Sequence, residues 1–73
     1  MATKTLDLNG LPCPQPTMRL TLELNTCKMG DTIEAVADAP TFLDDVRTWC
    51  QRMNKVILWS KEEGPHVRVL IQV

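Results

Sequence analysis

Leu11-Pro12-Cys13-Pro14-Gln15-Pro16-Thr17 runs directly into Met18-Arg19-Leu20-Thr21-Leu22-Glu23-Leu24-Asn25-Thr26-Cys27-Lys28, and whether this second run is helix or strand settles what the rest of the chain must be. Met18, Leu20, Leu22 and Leu24 alternate with Arg19, Thr21, Glu23 and Asn25, which taken alone is a strand pattern. Three features favour a helix over 17–28. Leu, Met, Arg and Glu are good helix formers, and the run holds no Val or Ile. The prolines make a helix start, because their missing N–H and fixed φ suit the first turn. Gly30 lies just beyond, where helices commonly end. As a helix, the segment puts Cys13, Thr17, Leu20, Leu24 and Cys27 on one side. Met18 and Leu22 fall on the opposite side, an apolar i, i+4 pair with no core to enter.

A helix here changes the meaning of Cys13. Pro14 becomes the first helical residue. Cys13, pushed out of the α region by the proline after it, becomes the non-helical cap. A thiol at a helix N-terminus faces the positive end of the macrodipole and unpaired N–H groups, which favours the nucleophilic thiolate. Gln15 also precedes a proline, so the opening turn is expected to be irregular. The plain alternative is that Cys13 is a small buried hydrophobe or a structural cap. A haem-binding reading of Cys-Pro rests on one dipeptide and carries little weight.

Working outward, 3–8 reads as a strand in which Thr5, Asp7 and Asn9 alternate against Leu6 and Leu8, and Asn9-Gly10 is a turn signal. Met29-Gly30-Asp31 is a turn, followed by a strand over 32–37. Asp38-Ala39-Pro40-Thr41 resembles a helix start, with Asp38 or Thr41 as cap. Residues 42–53 form the clearest helix: Phe42, Leu43, Val46, Trp49, Cys50 and Met53 keep the helical period. Asp44 and Asp45 near its start and Arg52 near its end suit the dipole, and Asn54-Lys55 breaks it. Val56-Ile57-Leu58-Trp59-Ser60 is a strand, Glu62-Glu63-Gly64-Pro65 a hairpin connection, and 67–73 a strand with Val67, Val69, Ile71 and Val73 on one face. The order β-α-β-α-β-β implies an α/β (α+β) two-layer sandwich. One four-stranded mixed sheet carries two helices on one face through right-handed crossovers, and leaves its other face to solvent or a partner.

With 73 residues the chain is expected to be a single domain over 1–73, with room for one thin core. A net charge of −1 with scattered Lys and Arg, and few aromatics, argues against direct nucleic-acid binding. No apolar segment approaches membrane-spanning length. Met1-Ala2-Thr3-Lys4 has no apolar stretch behind it and does not read as a signal peptide, so a cytoplasmic location is expected. Cys13, Cys27 and Cys50 form an odd, widely spaced set without a Cys-x-x-Cys pair, and His66 is the sole histidine. Neither a disulfide framework nor a structural zinc site is expected, and no cofactor or metal is called for. A Cys13–Cys50 disulfide has no support in the spacing.

Cys13-Pro14-Gln15-Pro16 followed by a helix, Gly30 beside Asp31, Asp38-Ala39-Pro40 opening the second helix, and Cys50 late in that helix resemble the TusA/SirA sulfur-carrier family. The resemblance covers nearly the whole chain, from Leu6 to Ile71. It implies a small βαβαββ domain carrying sulfur as a persulfide on Cys13, with Pro14 and Pro16 as parts of the motif. It implies a cysteine desulfurase or a rhodanese-like protein as donor, and DsrE-like proteins or other acceptors. The downstream uses it implies are 2-thiolation of the tRNA wobble uridine, oxidative sulfur metabolism and sulfur supply for molybdenum cofactor. Such a relay needs an exposed, thiolate-prone cysteine and no deep pocket. Where many relatives carry a basic pair in the first helix, this chain has Thr21 and Leu22. Where many have Gly-His or Glu-His after the second helix, it has Asn54-Lys55, and Pro12 is not the usual residue ahead of the motif.

Of the remaining candidates, Arg19 sits where relatives often have a basic residue. Its functional reading is stabilising a thiolate or persulfide, or docking an acidic partner; its plain reading is an ordinary solvated arginine. Cys27 and Cys50 read as core packing. Asp38 reads as a helix cap before it reads as a site residue. Trp49 fits the core of the second helix, Trp59 a strand face, and His66 a surface strand position. The Met18–Leu22 pair is expected to belong to a partner-docking surface beside the cysteine, although two isolated exposed apolar residues are also normal. Two functional classes follow: a sulfur carrier acting as a single chain, and a non-catalytic interaction or redox-regulatory module in which Cys13 is a structural cap.

Overall fold

The computed structural model describes residues 2–12 and 15–73. Its elements are β1 (Thr3–Asp7), α1 (Gln15–Leu24), β2 (Thr32–Ala37), α2 (Phe42–Met53), β3 (Val56–Glu63) and β4 (His66–Gln72). The strands form one four-stranded mixed sheet in the order β1-β2-β4-β3. β1 and β2 are parallel, with Leu6 opposite Ala35, and the other pairs are antiparallel.

Period-two burial fixes the sheet's inner face. Ile33, Ala35 and Ala37 of β2 are buried while Thr32, Glu34 and Val36 are half-exposed. The register sets Ile71 beside Ile33 and Val69 beside Ala35, so β4 buries the same face. Leu20 of α1 and Phe42, Val46, Trp49 and Cys50 of α2 join those residues in one core, which places both helices on that face. The chain is thus an α+β two-layer sandwich, as the element order implies.

α1 is a helix, and its faces divide as the spacing predicts. Leu20 is fully buried, while Met18 and Leu22 are 59% and 62% exposed. It ends four residues before the expected 28. Beyond Leu24 the chain tightens into i→i−3 bonds, from Asn25 N–H to Leu22 C=O and Thr26 N–H to Glu23 C=O. The Thr26 hydroxyl also donates to the Glu23 carbonyl at 2.9 Å. A side chain that competes for the backbone stops the helix before the glycine does.

α2 has the expected bounds, but its N-terminus corrects one reading. The cap position is Thr41, and no side chain caps a backbone N–H there. The Thr41 hydroxyl instead donates to the Asp45 carboxylate at 2.9 Å. Asp38 is not a cap: its carboxylate accepts the N–H of Gly10 at 2.9 Å. Asn54 ends α2 in the left-handed region (φ 57°), returning its N–H to the Cys50 carbonyl. Met53, expected on the core side, is exposed at the last position of α2.

β3 runs three residues beyond the expected 60, because Lys61, Glu62 and Glu63 continue the ladder to Arg68, Val67 and His66. Only Gly64-Pro65 turns the hairpin, with Gly64 at φ 64°. Lys61 faces the like charge of Arg68, which is offset by Glu63 at 3.0 Å and Glu34 at 3.6 Å from the guanidinium. Asp31 fastens the start of β2. Its buried carboxylate accepts N–H groups from Lys28 at 2.9 Å and Ala2 at 3.1 Å. Those two donors, Lys28 first, hold its pKa below the ordinary value of 3.8.

Candidate functional site

The segment singled out in the sequence leaves the sheet where β1 and β2, running parallel, both end. Leu8 N–H still pairs with the Val36 carbonyl at 2.7 Å, and the chain then turns through Asn9-Gly10, with Gly10 at φ 81°. Cys13 and Pro14 lie outside the described residues. The readings of Cys13 as helix cap and sulfur-bearing thiol, and of Pro14 as first helical residue, therefore lie there too. Gln15 N–H donates to the Pro12 carbonyl at 2.8 Å, joining the residue before that dipeptide to the one after it. Pro16 is buried in the first turn of α1, where a missing N–H costs nothing.

Three side chains, one local and two from other strands, are committed to the run leading into the segment. Asp7 accepts the Asn9 N–H at 3.0 Å, and Asp38, just past β2, accepts the Gly10 N–H. His66, at the head of β4, places Nδ1 2.9 Å from Oδ1 of Asn9. Because Oδ1 only accepts, Nδ1 is the protonated nitrogen in this arrangement. Asp38 is thus brought to the segment, though in a different role from the one its sequence context suggests. The part played by Asn9 and His66 had no local signal, since 57 residues separate them. Gly10, Leu11, Pro12, Asp38, Ala39 and Pro40 line a cavity of about 570 Å³ on this side of the segment.

Leu11, Gln15, Met18, Arg19 and Leu22 line a second cavity of about 270 Å³. The Met18–Leu22 pair is therefore one wall of a groove that begins at Leu11 and Gln15, the two flanks of the cysteine segment. Arg19 is exposed and forms no ion pair among the described residues. Thr21 has a structural task. Its hydroxyl accepts from the indole N–H of Trp49 at 2.9 Å and donates to the Thr17 carbonyl at 3.0 Å. This chain of bonds ties α2 to the first turn of α1.

The other two thiols are placed as the sequence suggests. Cys50 is only 4% exposed in the core, and burial pushes its thiol pKa up, away from thiolate. Cys27 is half-buried against the core. Among the described residues no group of His, Cys, Asp and Glu could hold a metal ion. No described helix is long and apolar enough to cross a membrane.

The residues on either side of Cys13-Pro14 thus line two open cavities of a small α+β sandwich. The chain matches the family model "Sulfurtransferase TusA" over residues 4–73. It belongs to that family of sulfur carriers, whose members work in sulfur relay with donor and acceptor proteins.

Proposed function

We propose that the chain carries sulfur as a persulfide on Cys13. The Cys13 thiolate attacks the terminal sulfur of a donor persulfide, on a cysteine desulfurase or a rhodanese. A new S–S bond forms, the donor's S–S bond breaks, and the donor cysteine leaves as a thiolate. The acceptor's thiolate, on a DsrE-like or other protein, then attacks the terminal sulfur on Cys13 in the same way, and Cys13 thiolate is released. Neither exchange needs an oxidant or reductant. The protein is a stoichiometric carrier in this reading, acting as a single chain in the cytoplasm, where thiols stay reduced.

What supports the reading is the chain's membership of the TusA family, together with the packing of its other two thiols. Cys50 is buried with its pKa raised and Cys27 is packed against the core. Pro14 and Pro16 are parts of the motif in this reading, and Asp38 holds the approach to it through Gly10. The groove of Met18, Leu22 and Arg19 is the docking surface in this reading, using apolar contact where many relatives use a basic pair. Which pathway receives the sulfur is set by the acceptor's fit to that surface, not by chemistry at Cys13.

The test is intact mass spectrometry after incubation with a cysteine desulfurase and cysteine, or a rhodanese and thiosulfate. The expected gain is about one sulfur atom, lost on reduction and absent in Cys13→Ser. A gain that survives Cys13→Ser assigns the sulfur to another cysteine. No gain with either donor, from folded protein, returns the chain to the interaction-module reading.

A further inference from the structure

The residues between β1 and the cysteine segment are held locally, by Asp7 at the Asn9 N–H, and from other strands. Leu8 is held by backbone pairing to Val36, Asn9 by His66 and Gly10 by Asp38. Asn9-Gly10 needs none of this to turn. An Asn-Gly pair forms a tight turn by itself, and Gly10 has the freedom its φ of 81° requires. Gly10 itself touches no core: a β-carbon there would meet nothing within 4 Å, while Leu8 and Leu11 on either side of the turn pack into or against the core. Two polar side chains from β4 and the end of β2 are nonetheless spent on it. What they fix is the direction in which the chain departs toward Cys13.

We propose that His66 is a positioning residue for sulfur exchange: by donating from Nδ1 to Oδ1 of Asn9, and with Asp38 holding Gly10, it sets the geometry of the Asn9-Gly10 turn from which the Cys13 segment leaves. This inference rests on the reading of Cys13 as the sulfur-bearing thiol. Exchange between a thiolate and a persulfide requires near-linear alignment of three sulfur atoms contributed by two proteins, so a small displacement of the carrier's segment lowers the rate steeply. The head of β4 thereby acts on the exchange through Asn9, from which His66 is 57 residues away in sequence.

The test compares His66→Asn with His66→Gln. The Asn amide nitrogen reproduces the Nδ1 donor, whereas the Gln amide falls near the Nε2 position and misses Asn9. Both side chains are polar and suit this half-exposed site. The initial rate of sulfur loading from a cysteine desulfurase and cysteine is read by intact mass, with the unfolding midpoint measured alongside. His66→Gln is expected to load roughly five- to tenfold more slowly and His66→Asn within about twofold of wild type, at similar midpoints. Equal rates in the two variants, fast or slow, overturn the proposal, because the donor to Asn9 would then not govern exchange. Loading that persists in Cys13→Ser overturns the carrier reading instead, whichever way the His66 pair behaves.

Discussion

Replacing Met18 and Leu22 together by lysine tests the docking groove with little risk to the fold. Both side chains already have about 60% of their surface in water, and Leu20 between them makes the core contact. Fully burying a Met or Leu side chain stabilises by roughly 1.5–3 kcal/mol, so covering the remaining surface is worth about 1–2 kcal/mol for each. A partner that covers most of both gains about 2–3 kcal/mol from the pair. The double variant should therefore weaken docking by about thirty- to a hundredfold, at about tenfold per 1.4 kcal/mol. The assay is the dependence of sulfur-loading rate on desulfurase concentration, with loading by a small-molecule persulfide as control. The half-saturating concentration should rise by that factor, while the small-molecule rate and the unfolding midpoint stay at wild-type values. An unchanged half-saturating concentration would refute the reasoning, since the exposed pair would then contribute nothing to any partner. Salt gives a second view. Apolar docking with one cation, Arg19, should lose little affinity between 50 and 500 mM salt, whereas docking through a basic patch is largely screened.

Thr21→Val should cost roughly 1–3 kcal/mol, because the indole N–H of nearly buried Trp49 loses its acceptor. Thr21→Ser should recover most of this in denaturant unfolding, and a neutral Thr21→Val would mean that water replaces the bond. Asp31 sets an acid limit. Its folded pKa is depressed, so its contribution is complete above the ordinary carboxylate value of 3.8 and is lost as pH falls through the lower folded value. Asp31→Asn should be less stable than wild type at pH 7 and converge with it as pH drops below that value. Parallel pH–stability curves would count against the two backbone donors as the cause.

Local signals in the sequence reach some of this structure and stop short of the rest for identifiable reasons. The bounds of α2 were legible because Phe42, Val46, Trp49 and Cys50 repeat at helical spacing and Asn54 is a good left-handed terminator. The far end of α1 was not, because Thr26 closes it with a hydroxyl-to-carbonyl bond that has no period. The exposed Met18–Leu22 face was readable from spacing alone, but its sharing of one cavity with Leu11 is a tertiary feature without a local signal. Asp38 shows the limit most clearly. Beside Ala39 and Pro40 it has the local credentials of a helix cap. Yet its carboxylate goes to Gly10, because the parallel pairing of β1 with β2 brings the ends of both strands together. His66 reaches Asn9 for the same reason, since antiparallel pairing sets Val67 beside Ala37 and leaves His66 at that end of the sheet. The residues that approach the cysteine segment are thus chosen by strand order, not by sequence neighbourhood. At the ends of β1 and β2 and the head of β4, a donor or acceptor side chain can reach the turn before the cysteine whatever its local context, as Asp38 and His66 do.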